Sequence, residues 1–417
     1  MTDPDTTPGR AAPGQVAATA PVLVVNAGSS SLKYRLVEPS AGHTLATGLI
    51  ERIGEGHPRA RHTGSDCTTE RELDCPDHES AFQVALAAFA EHGPPLRAAD
   101  LLAVGHRVVH GGSRFAAPVL VDDDVIAQIE ALVPLALLHN PGNLAGLRAA
   151  RAAFGGIPQV AVFDTAFHQT LPPAAYTYAV PRDWRDRLHV RRYGFHGTSH
   201  AYVSRRVAAL LGRPPQATNA VVLHLGNGAS ACAVEGGRSI DTSMGLSPLG
   251  GLVMGTRPGD LDPAIAPYLS RHGIPVLAYD EALNHDSGLR ALAGSNDFRE
   301  VMRLVEAGDA DARLAVEVAA YRIAKYVGGY AVALGRLDAL AFTGGIGEHS
   351  AALRADVVGR LAVLGLELDT AANAAASGES RISTPASAAQ VWVVPTDEEL
   401  EIARHAVAVV RAGHPSA

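Results

Sequence analysis

Two distant segments of this chain follow the same plan of strand, small-residue turn and returning strand. The first reads VLVVN, AGSSS and LKYRLVE from Val22, and the second reads VVLHL, GNGAS and ACAVEGG from Val221. In both, a continuous apolar run predicts a buried strand, and glycine with serine predicts a tight turn. We interpret the pair as an internal duplication with one copy per domain.

The regions between these segments predict an α/β fold. Apolar residues at helical spacing predict helices over Arg313–Gly335, Ser80–Glu91 and Asp123–Val133, the first of them capped by its glycine. The polar, turn-rich residues from Gly54 to His78 predict loops or an edge hairpin. Strands that alternate with helices are typical of α/β architecture, and 417 residues allow two or three domains.

The C-terminal region predicts a strand, VWVVP, followed by a helix, TDEELEIARHAVAVV, that packs back on the first domain. Thr396 and Glu399 have the spacing of a capping box at the start of this helix. That role would occupy Glu399 and leave Glu398 able to reach a ligand.

Composition excludes several classes of partner. The net charge of −8 argues against nucleic acid, and no apolar run has the ~18–20 residues that span a bilayer. The three cysteines, Cys67, Cys75 and Cys232, form no CxxC pair and predict free thiols in a reducing compartment. Residues 1–20 predict a disordered tail without the apolar core of a signal peptide. We therefore expect a cytoplasmic protein.

Three small-residue loops, each after a strand, are candidates for binding phosphates. They are Asn26–Lys33 (NAGSSSLK), His224–Ser230 (HLGNGAS) and Gly344–Glu348. Glycine and serine let backbone N–H groups approach an anion, although none of the loops has the spacing of a Walker A motif. Each loop alone is also compatible with an ordinary turn, but three together favour a nucleotide site.

Two arginines, Arg107 in GHRVVHGG and Arg257 in MGTRPGD, stand in apolar or glycine-rich surroundings. A guanidinium in such a place needs an anion and matches carboxylate or phosphate oxygens in pairs. The alternative is a structural ion pair, for example of Arg257 with Asp260 or Asp262.

Asp164 follows the apolar strand VAVF, where a carboxylate could bind Mg²⁺, orient another group or cap a helix. His196 and His200 are four residues apart, but no HExxH motif and no third ligand support a zinc site. No G-x-S-x-G elbow is present, so a serine hydrolase has no support.

The order of eleven motifs resembles the acetate kinase family, within the superfamily of sugar kinases, Hsp70 and actin. The resemblance runs from about Pro21 to about Arg411 through NAGSSSLK, GHRVVHGG, LLHNPGN, FDTAFH, RYGFHGTSH, HLGNG, DTSMG, GLVMGTRPGD, SNDFR, GGIGE and PTDEEL. It implies a duplicated ribonuclease-H-like (actin-like ATPase) fold, with two domains around a central cleft, and a homodimer. The implied domains are residues 21–166 plus 397–417, on the phosphate and acid side, and residues 167–396, on the nucleotide side.

The resemblance also implies roles for residues. Asn26 and Glu398 would position Mg²⁺, Arg107 would hold the substrate carboxylate, and His196 with Arg257 would stabilise the transferring phosphoryl group while Asp164 orients the site. Val109, Leu138, Phe195 and Pro248 would enclose the methyl group of acetate. Contacts to the nucleotide and its phosphates would come from Ser29, Ser31, Lys33, His224, Leu225, Gly226, Asn227, Gly228, Asp297, Phe298, Arg299, Gly345, Ile346, Gly347, Glu348 and His349. The chain departs from the family pattern at His349 and Asp397, where asparagine is usual.

The implied activity is reversible transfer of the γ-phosphoryl group of ATP to acetate, giving acetyl phosphate and ADP. The resemblance implies Mg²⁺ as cofactor, with Mn²⁺ as an alternative, and neither nucleic acid nor membrane as partner. The rival within the family is a propionate or butyrate kinase; the rival of another class is a nucleotide-binding switch without phosphoryl transfer. Val109 favours acetate, because a smaller residue there would open the pocket.

Overall fold

The computed structural model describes residues 20–94, 96 and 100–413, so the predicted tail lies, apart from Ala20, outside the described residues. The strands are β1 Val22–Ala27, β2 Ser31–Glu38, β3 His43–Glu51, β4 Arg59–Thr63, β5 Thr68–Glu72, β6 Ala103–Val108, β7 Val119–Leu120, β8 Gln159–Phe163, β9 Asn219–Leu225, β10 Ala229–Glu235, β11 Arg238–Thr242, β12 Ala339–Thr343, β13 Ser380–Arg381 and β14 Gln390–Val393. The α-helices are α1 His78–His92, α2 Asp123–Ala131, α3 Asn140–Ala153, α4 Pro173–Tyr176, α5 Arg182–Leu188, α6 Gly197–Leu210, α7 Ile265–Arg271, α8 Val276–His285, α9 Gly288–Ala293, α10 Phe298–Glu306, α11 Ala310–Leu334, α12 Gly344–His349, α13 Ala351–Arg360, α14 Thr370–Ala375 and α15 Glu398–Gly413.

The chain forms two compact units. Unit 1 contains the described residues up to His106, residues Gly142–Ala161 and the chain from Ala403 onward. Unit 2 contains Arg107–Pro141 and Val162–Ile402. Strands β6 and β8 each begin in unit 1 and end in unit 2.

The two sheets share a central run of strands, β3-β2-β1-β6-β8 in one and β11-β10-β9-β12-β14 in the other. The first runs β5-β4-β3-β2-β1-β6-β8-β7, and the second runs β11-β10-β9-β12-β14-β13. In each, three antiparallel strands are followed by a strand parallel to the first of them, β6 beside β1 and β12 beside β9. The predicted duplication is therefore confirmed at the level of topology. The hairpin of β4 and β5 forms one edge of the first sheet, as the residues from Gly54 to His78 predicted.

Unit 1 buries one face of its sheet against two helices. Leu23, Val25 and Ala27 alternate along β1 and pack in one cluster with Phe82 and Phe89 of α1, with Ala149 and Ala150 of α3, and with Phe154 just after α3. The period of two places these β1 residues on one face of the strand. The small residues of α3 let it approach the sheet closely.

Unit 2 has helices on both faces of its sheet. Val221, Leu223 and Leu225 of β9 pack with residues of α11 that include Ala319 and Ile323. The alternate residues Ala220 and Val222 pack with Val203 and Val207 of α6. Because β9 is buried on both faces, its sequence is a continuous apolar run.

Each predicted helix is present, with ends that differ from the prediction by up to three residues. The long helix α11 ends at Leu334, and Gly335 caps it at φ +65°. The predicted capping box of Thr396 and Glu399 is wrong. Asp397 is the N-cap instead, because its carboxylate accepts the N–H of Leu400 at 3.0 Å, while the Thr396 hydroxyl bonds Ser199.

Two expectations from composition can be compared with the structure. The three cysteines are free thiols, of which only Cys67 is exposed. No helix within residues 20–94, 96 and 100–413 combines the length and the apolar character that a membrane span requires.

Candidate active site

The first predicted loop connects β1 and β2 in unit 1. Asn26 lies opposite Lys33 in the hairpin, and Gly28 closes the turn by donating its N–H to Ser31 O at 2.8 Å. Ser29 and Lys33 are exposed, whereas Asn26 and Ser31 are half-buried. The turn thus presents a hydroxyl and an ammonium group at the surface of unit 1.

Residues outside the motif hold this turn in place. Asn143 donates its side-chain N–H to Ala27 O at 2.6 Å, and His78 Nε2 donates to Gly28 O at 2.7 Å. Gly142 at the start of α3 packs so closely that an added Cβ would lie 2.3 Å from Gly28 O. Sequence reasoning missed these supports, because they come from parts of the chain that are distant in sequence.

In unit 2, Arg107 forms a bidentate ion pair with Asp164. Arg107 Nη2 is 2.6 Å from Asp164 Oδ2, and Nε is 3.1 Å from both carboxylate oxygens. Asp164 is 1 % exposed. Burial acts to lower the pKa of Arg107, but the charges of Asp164 and Glu398 outweigh it and raise that pKa. Arg107 keeps 22 % of its side-chain surface exposed, so the side chain is still accessible from solvent.

Arg257 differs, because within the described part of the chain no carboxylate forms an ion pair with it. Its Nη1 donates to the carbonyl oxygen of Pro248 at 2.8 Å, and burial lowers its pKa. The alternative pairs are wrong: Asp260 accepts from Gly251 and Tyr326, and Asp262 accepts from Ala264. A half-buried cation of this kind is a receptor for an external anion.

Two stacked histidines stand beside the arginines. The rings of His196 and His224 are 4.3 Å apart, and His196 lies just before α6 at φ +56°, a left-handed conformation uncommon for a residue with a side chain. The N–H of Gly197 donates to Asp164 O at 2.9 Å, which ties the start of α6 to Asp164. A Cβ built on Gly228 would lie 2.9 Å from Arg257 Nη2 and 3.2 Å from His196 Nε2. These two nitrogens therefore border the same small space.

Electrostatics connect these residues into one cluster. Burial first, and then the neighbouring imidazoles and the charges of Arg107 and Arg257, hold the pKa of His196 well below its usual range. Burial lowers the pKa of His224 to about 4. Burial followed by the same two arginines also lowers the pKa of His139, a residue that sequence reasoning missed. Arg107, Arg257 and His196 thus belong to one electrostatic cluster within unit 2, in which His196 is neutral at pH 7.

The buried histidines predict acid sensitivity. Burial lowers the pKa values of His106, His110, His168 and His224 from 6.5 to about 4. Between these values the unfolded chain binds more protons than the folded one, so stability is lost as the pH falls through this range. Each such histidine contributes a slope of about 1.4 kcal/mol per pH unit. We expect the urea midpoint to fall steeply between about pH 6.5 and about pH 5.

A pair of variants tests the cause of this slope. His106→Gln removes a buried imidazole whose Nε2 is 2.7 Å from Gln159 Oε1, and it should flatten the dependence. His285→Gln replaces a histidine whose side chain is 54 % exposed, and it should leave the pH dependence of the urea midpoint unchanged. A midpoint that stays constant from about pH 7 to about pH 5 in the parent protein contradicts the explanation.

A cavity of about 740 Å³ in unit 2 brings together three of the predicted nucleotide segments. It is lined by Gly226 and Asn227 after β9, by Asp297, Phe298 and Arg299 at the start of α10, and by Gly345, Ile346 and His349 of α12. Asn296, Met302 and Ser350, which the sequence analysis did not name, complete the lining. His349 donates its Nδ1–H to Gly345 O at 2.9 Å, so the hydrogen bond of this side chain is made within its own loop.

The lining does not include five of the predicted nucleotide residues of unit 2, namely His224, Leu225, Gly228, Gly347 and Glu348. Leu225 belongs to the hydrophobic core. Glu348 turns its carboxylate to the N–H of Gly344, at 2.9 Å. The buried Arg354, also missed from sequence, donates to the carbonyl oxygens of Gly347 and Glu348 at 2.9 Å and 2.8 Å. Its role is to anchor the end of α12.

The predicted methyl pocket is assembled only in part. Val109 and Phe195 are buried in the same apolar cluster, and Pro248 touches Arg257 through its carbonyl oxygen. Leu138 is 49 % exposed and does not belong to that cluster.

The two residues predicted to bind Mg²⁺ each offer a side-chain oxygen atom, and one residue is in each unit. Glu398 Oε2 in unit 2 lies 4.0 Å from Arg107 Nε, and Asn26 is in unit 1. A carboxylate and a side-chain amide each offer an oxygen atom of the kind that Mg²⁺ binds. Over the described ranges, no three His, Cys, Asp or Glu side chains cluster as a metal site would. His200, the second histidine of the pattern, forms a hydrogen bond with the Ser230 hydroxyl through Nε2.

Two sheets with this strand order, together with half-buried arginines and neutral histidines in unit 2 beside a cavity lined by glycine loops, define a phosphotransferase of the ribonuclease-H-like (actin-like ATPase) fold. The model of the acetokinase family matches residues 21–404. The chain belongs to the acetokinase family.

Individual relatives agree with this assignment. The acetate kinase of Leifsonia xyli subsp. xyli is 58 % identical over 94 % of this chain and 99 % of its own length. The crystal structure of Porphyromonas gingivalis acetate kinase matches with a TM-score of 0.90 and 42 % identity over 94 % of this chain and all of that one. A propionate kinase from Francisella tularensis matches with a TM-score of 0.88 and 42 % identity over 93 % of this chain and 98 % of that one.

Proposed function

We propose that this protein transfers the γ-phosphoryl group of ATP to acetate and releases acetyl phosphate and ADP, in a reaction that also runs in reverse. The observation that carries the proposal is the cluster of Arg107, Arg257 and His196, in which Arg257 is half-buried and has no carboxylate partner among the described residues. A nucleotide-binding switch would have no use for such an anion receptor beside its nucleotide cavity.

The reaction requires alignment and charge neutralisation more than proton transfer. Acetate is ionised at neutral pH, so its oxygen can attack phosphorus without a general base. The new bond joins that oxygen to the γ-phosphorus, the bond to the bridging β–γ oxygen breaks, and ADP leaves with its electron pair. Phosphoryl transfer of this kind depends on positioning and on cations around the equatorial oxygens.

Each side chain of the cluster has a part in this scheme. The solvent-accessible part of Arg107 binds the carboxylate, while Asp164 fixes the orientation of the guanidinium. Arg257 and the Nε2 side of His196, which border the same space, face the transferring group. A neutral imidazole can donate a hydrogen bond there without repelling the two arginines.

Mg²⁺ is the proposed cofactor and Mn²⁺ its alternative. Glu398 and Asn26 are the proposed protein donors, and the cation would neutralise charge on the phosphates when it is bound. Ser29, Ser31 and Lys33 are the proposed phosphate contacts of unit 1. The homodimer and the cytoplasmic location remain predictions.

A hydroxylamine trap for acyl phosphate tests the reaction and the acid together. The purified chain is given ATP, Mg²⁺ and, in separate assays, acetate, propionate or butyrate, and each hydroxamate is quantified. We expect the highest kcat/KM with acetate and a measurable rate with propionate, because one methylene changes binding by only ~1–3 kcal/mol. No hydroxamate with any of the three acids overturns the proposal, and a higher value with propionate or butyrate supports the rival kinases.

Val109 should set the preference for acetate. We expect Val109→Ala to shift the ratio of kcat/KM values by roughly tenfold or more toward propionate, because the lost methyl groups make room for one methylene. The matched control is Val207→Ala, which truncates another buried valine of unit 2, on α6. An equal ratio in the parent protein and Val109→Ala would exclude Val109 from the acid pocket.

A further inference from the structure

Ser230 places one hydroxyl group between two histidines. It is 0 % exposed in β10, and its Oγ lies 2.9 Å from His196 Nδ1 and 2.8 Å from His200 Nε2. His196 and His200 are one helical turn apart at the start of α6, so both rings reach the same strand. A serine hydroxyl has one hydrogen and can donate it to only one of the two rings.

The position of the proton on His200 determines which ring accepts the hydrogen of the Ser230 hydroxyl. Burial, and then the imidazoles of His168 and His224, hold the pKa of His200 well below its usual range, so the ring carries one proton. Its Nδ1 is buried and makes no hydrogen bond with the described residues. A buried N–H without an acceptor is rarer in proteins than an acceptor without a donor. The proton is therefore on Nε2, which donates to Ser230 Oγ.

This direction determines the tautomer of His196. Because Ser230 Oγ accepts from His200, its own hydrogen is available for His196 Nδ1. A neutral imidazole whose Nδ1 accepts carries its proton on Nε2. The Nε2 atom is on the side of the ring that borders the space next to Arg257 Nη2.

We propose that Ser230 and His200 are positioning residues that lock His196 as the Nε2–H tautomer, so that it presents a neutral hydrogen-bond donor beside Arg257. The catalytic consequence rests on the proposed phosphoryl transfer, whereas the tautomer does not. Such a donor is fixed before the reaction and needs no reorganisation when charge develops on the phosphoryl oxygens. A His196 with its proton on Nδ1 would instead turn a lone pair toward those oxygens.

Nitrogen NMR of the full chain labelled with [¹⁵N]histidine tests the tautomer directly. The signals of His196 are identified by their loss in His196→Gln. Between about pH 6.5 and about pH 8 we expect a protonated Nε2 and an unprotonated Nδ1, and a shift toward the other tautomer in Ser230→Ala. A protonated Nδ1 in the parent protein, or a His196 spectrum that Ser230→Ala leaves unchanged, overturns the proposal.

Kinetics separate positioning from a structural role. Ser230→Ala should lower kcat for acetyl phosphate formation by about 10-fold to 100-fold, the range known for groups that orient other histidines, with KM values within about twofold of the parent protein. Ser230→Thr, which keeps the hydroxyl, should restore most of the rate. A kcat of Ser230→Ala within twofold of the parent value contradicts the role.

The chain offers a matched control in Ser239. Its hydroxyl is equally buried and lies 2.8 Å from His168 Nδ1, so Ser239→Ala removes the same kind of bond without touching His196. We expect Ser239→Ala to keep the parent kcat, and an equal loss in both alanine variants would mark Ser230 as merely structural. If the parent protein forms no acyl phosphate, the proposed function fails, while the NMR result still decides the tautomer.

Discussion

Arg257→Ala should lower kcat for acetyl phosphate formation by roughly 10³-fold or more, the effect known for arginines that stabilise this kind of transition state. The structure gives the reason: the guanidinium is half-buried, within the described chain it makes no ion pair, and its Nη2 borders the same space as His196 Nε2. Arg257→Lys should recover only part of the rate, because an ammonium group cannot bind two oxygens in a plane. Steady-state rates at saturating acetate and ATP measure the effect.

Arg213→Ala is the control for this variant. Arg213 is also in unit 2 but pairs with Asp338 at 3.1 Å, so its loss should leave kcat unchanged. A loss of less than tenfold in Arg257→Ala would exclude the proposed contact with the transferring group.

Asp164→Ala should cost both stability and activity. It removes a carboxylate that is 1 % exposed and leaves the cation of Arg107 without its principal partner. Breaking a buried pair in this way lowers the free energy of unfolding by about 3 kcal/mol. We expect kcat/KM for acetate to fall at least roughly 10²-fold as well, because a reacting group displaced by about 1 Å costs that much. Urea unfolding and steady-state kinetics measure the two effects.

Asp338→Ala separates the two effects of Asp164→Ala. Asp338 has a side chain only 9 % exposed and pairs with Arg213 and Arg336, outside the cluster around Arg107. The Asp338→Ala variant should be less stable than the parent protein and should keep the parent kcat. An Asp164→Ala enzyme that is destabilised but retains the parent kcat/KM would show that the Arg107–Asp164 pair is only structural.

The fold could be predicted from sequence because its signals are local. The apolar run of β1 and that of β9 each end in glycine and serine, and this pattern predicts a strand and a turn without knowledge of the rest of the chain. Gly335 marks the end of α11 for the same reason. The duplicated topology follows once both hairpins are placed.

The interior of the site could not be predicted, because its partners are distant in sequence. Ser230 is 34 residues from His196, and Asp164 is 57 residues from Arg107. The error at Thr396 has a similar cause: its hydroxyl bonds Ser199, a residue 197 positions away, and Asp397 takes the cap. The capping-box pattern considers only residues that are close in sequence, so it assigned the N-cap to Thr396.

Phosphorus NMR of the complete reaction tests the central claim most directly. The purified chain is incubated with ATP, Mg²⁺ and acetate, and the resonances of ATP, ADP and acetyl phosphate are followed together, with Arg257→Ala as the inactive comparison. We predict one acetyl phosphate for each ADP formed, no ADP without acetate, and ATP formation when acetyl phosphate and ADP are supplied instead. ADP and inorganic phosphate released at the same rate without acetate, or ATP that is bound and never turned over, would contradict a phosphotransferase that acts on acetate.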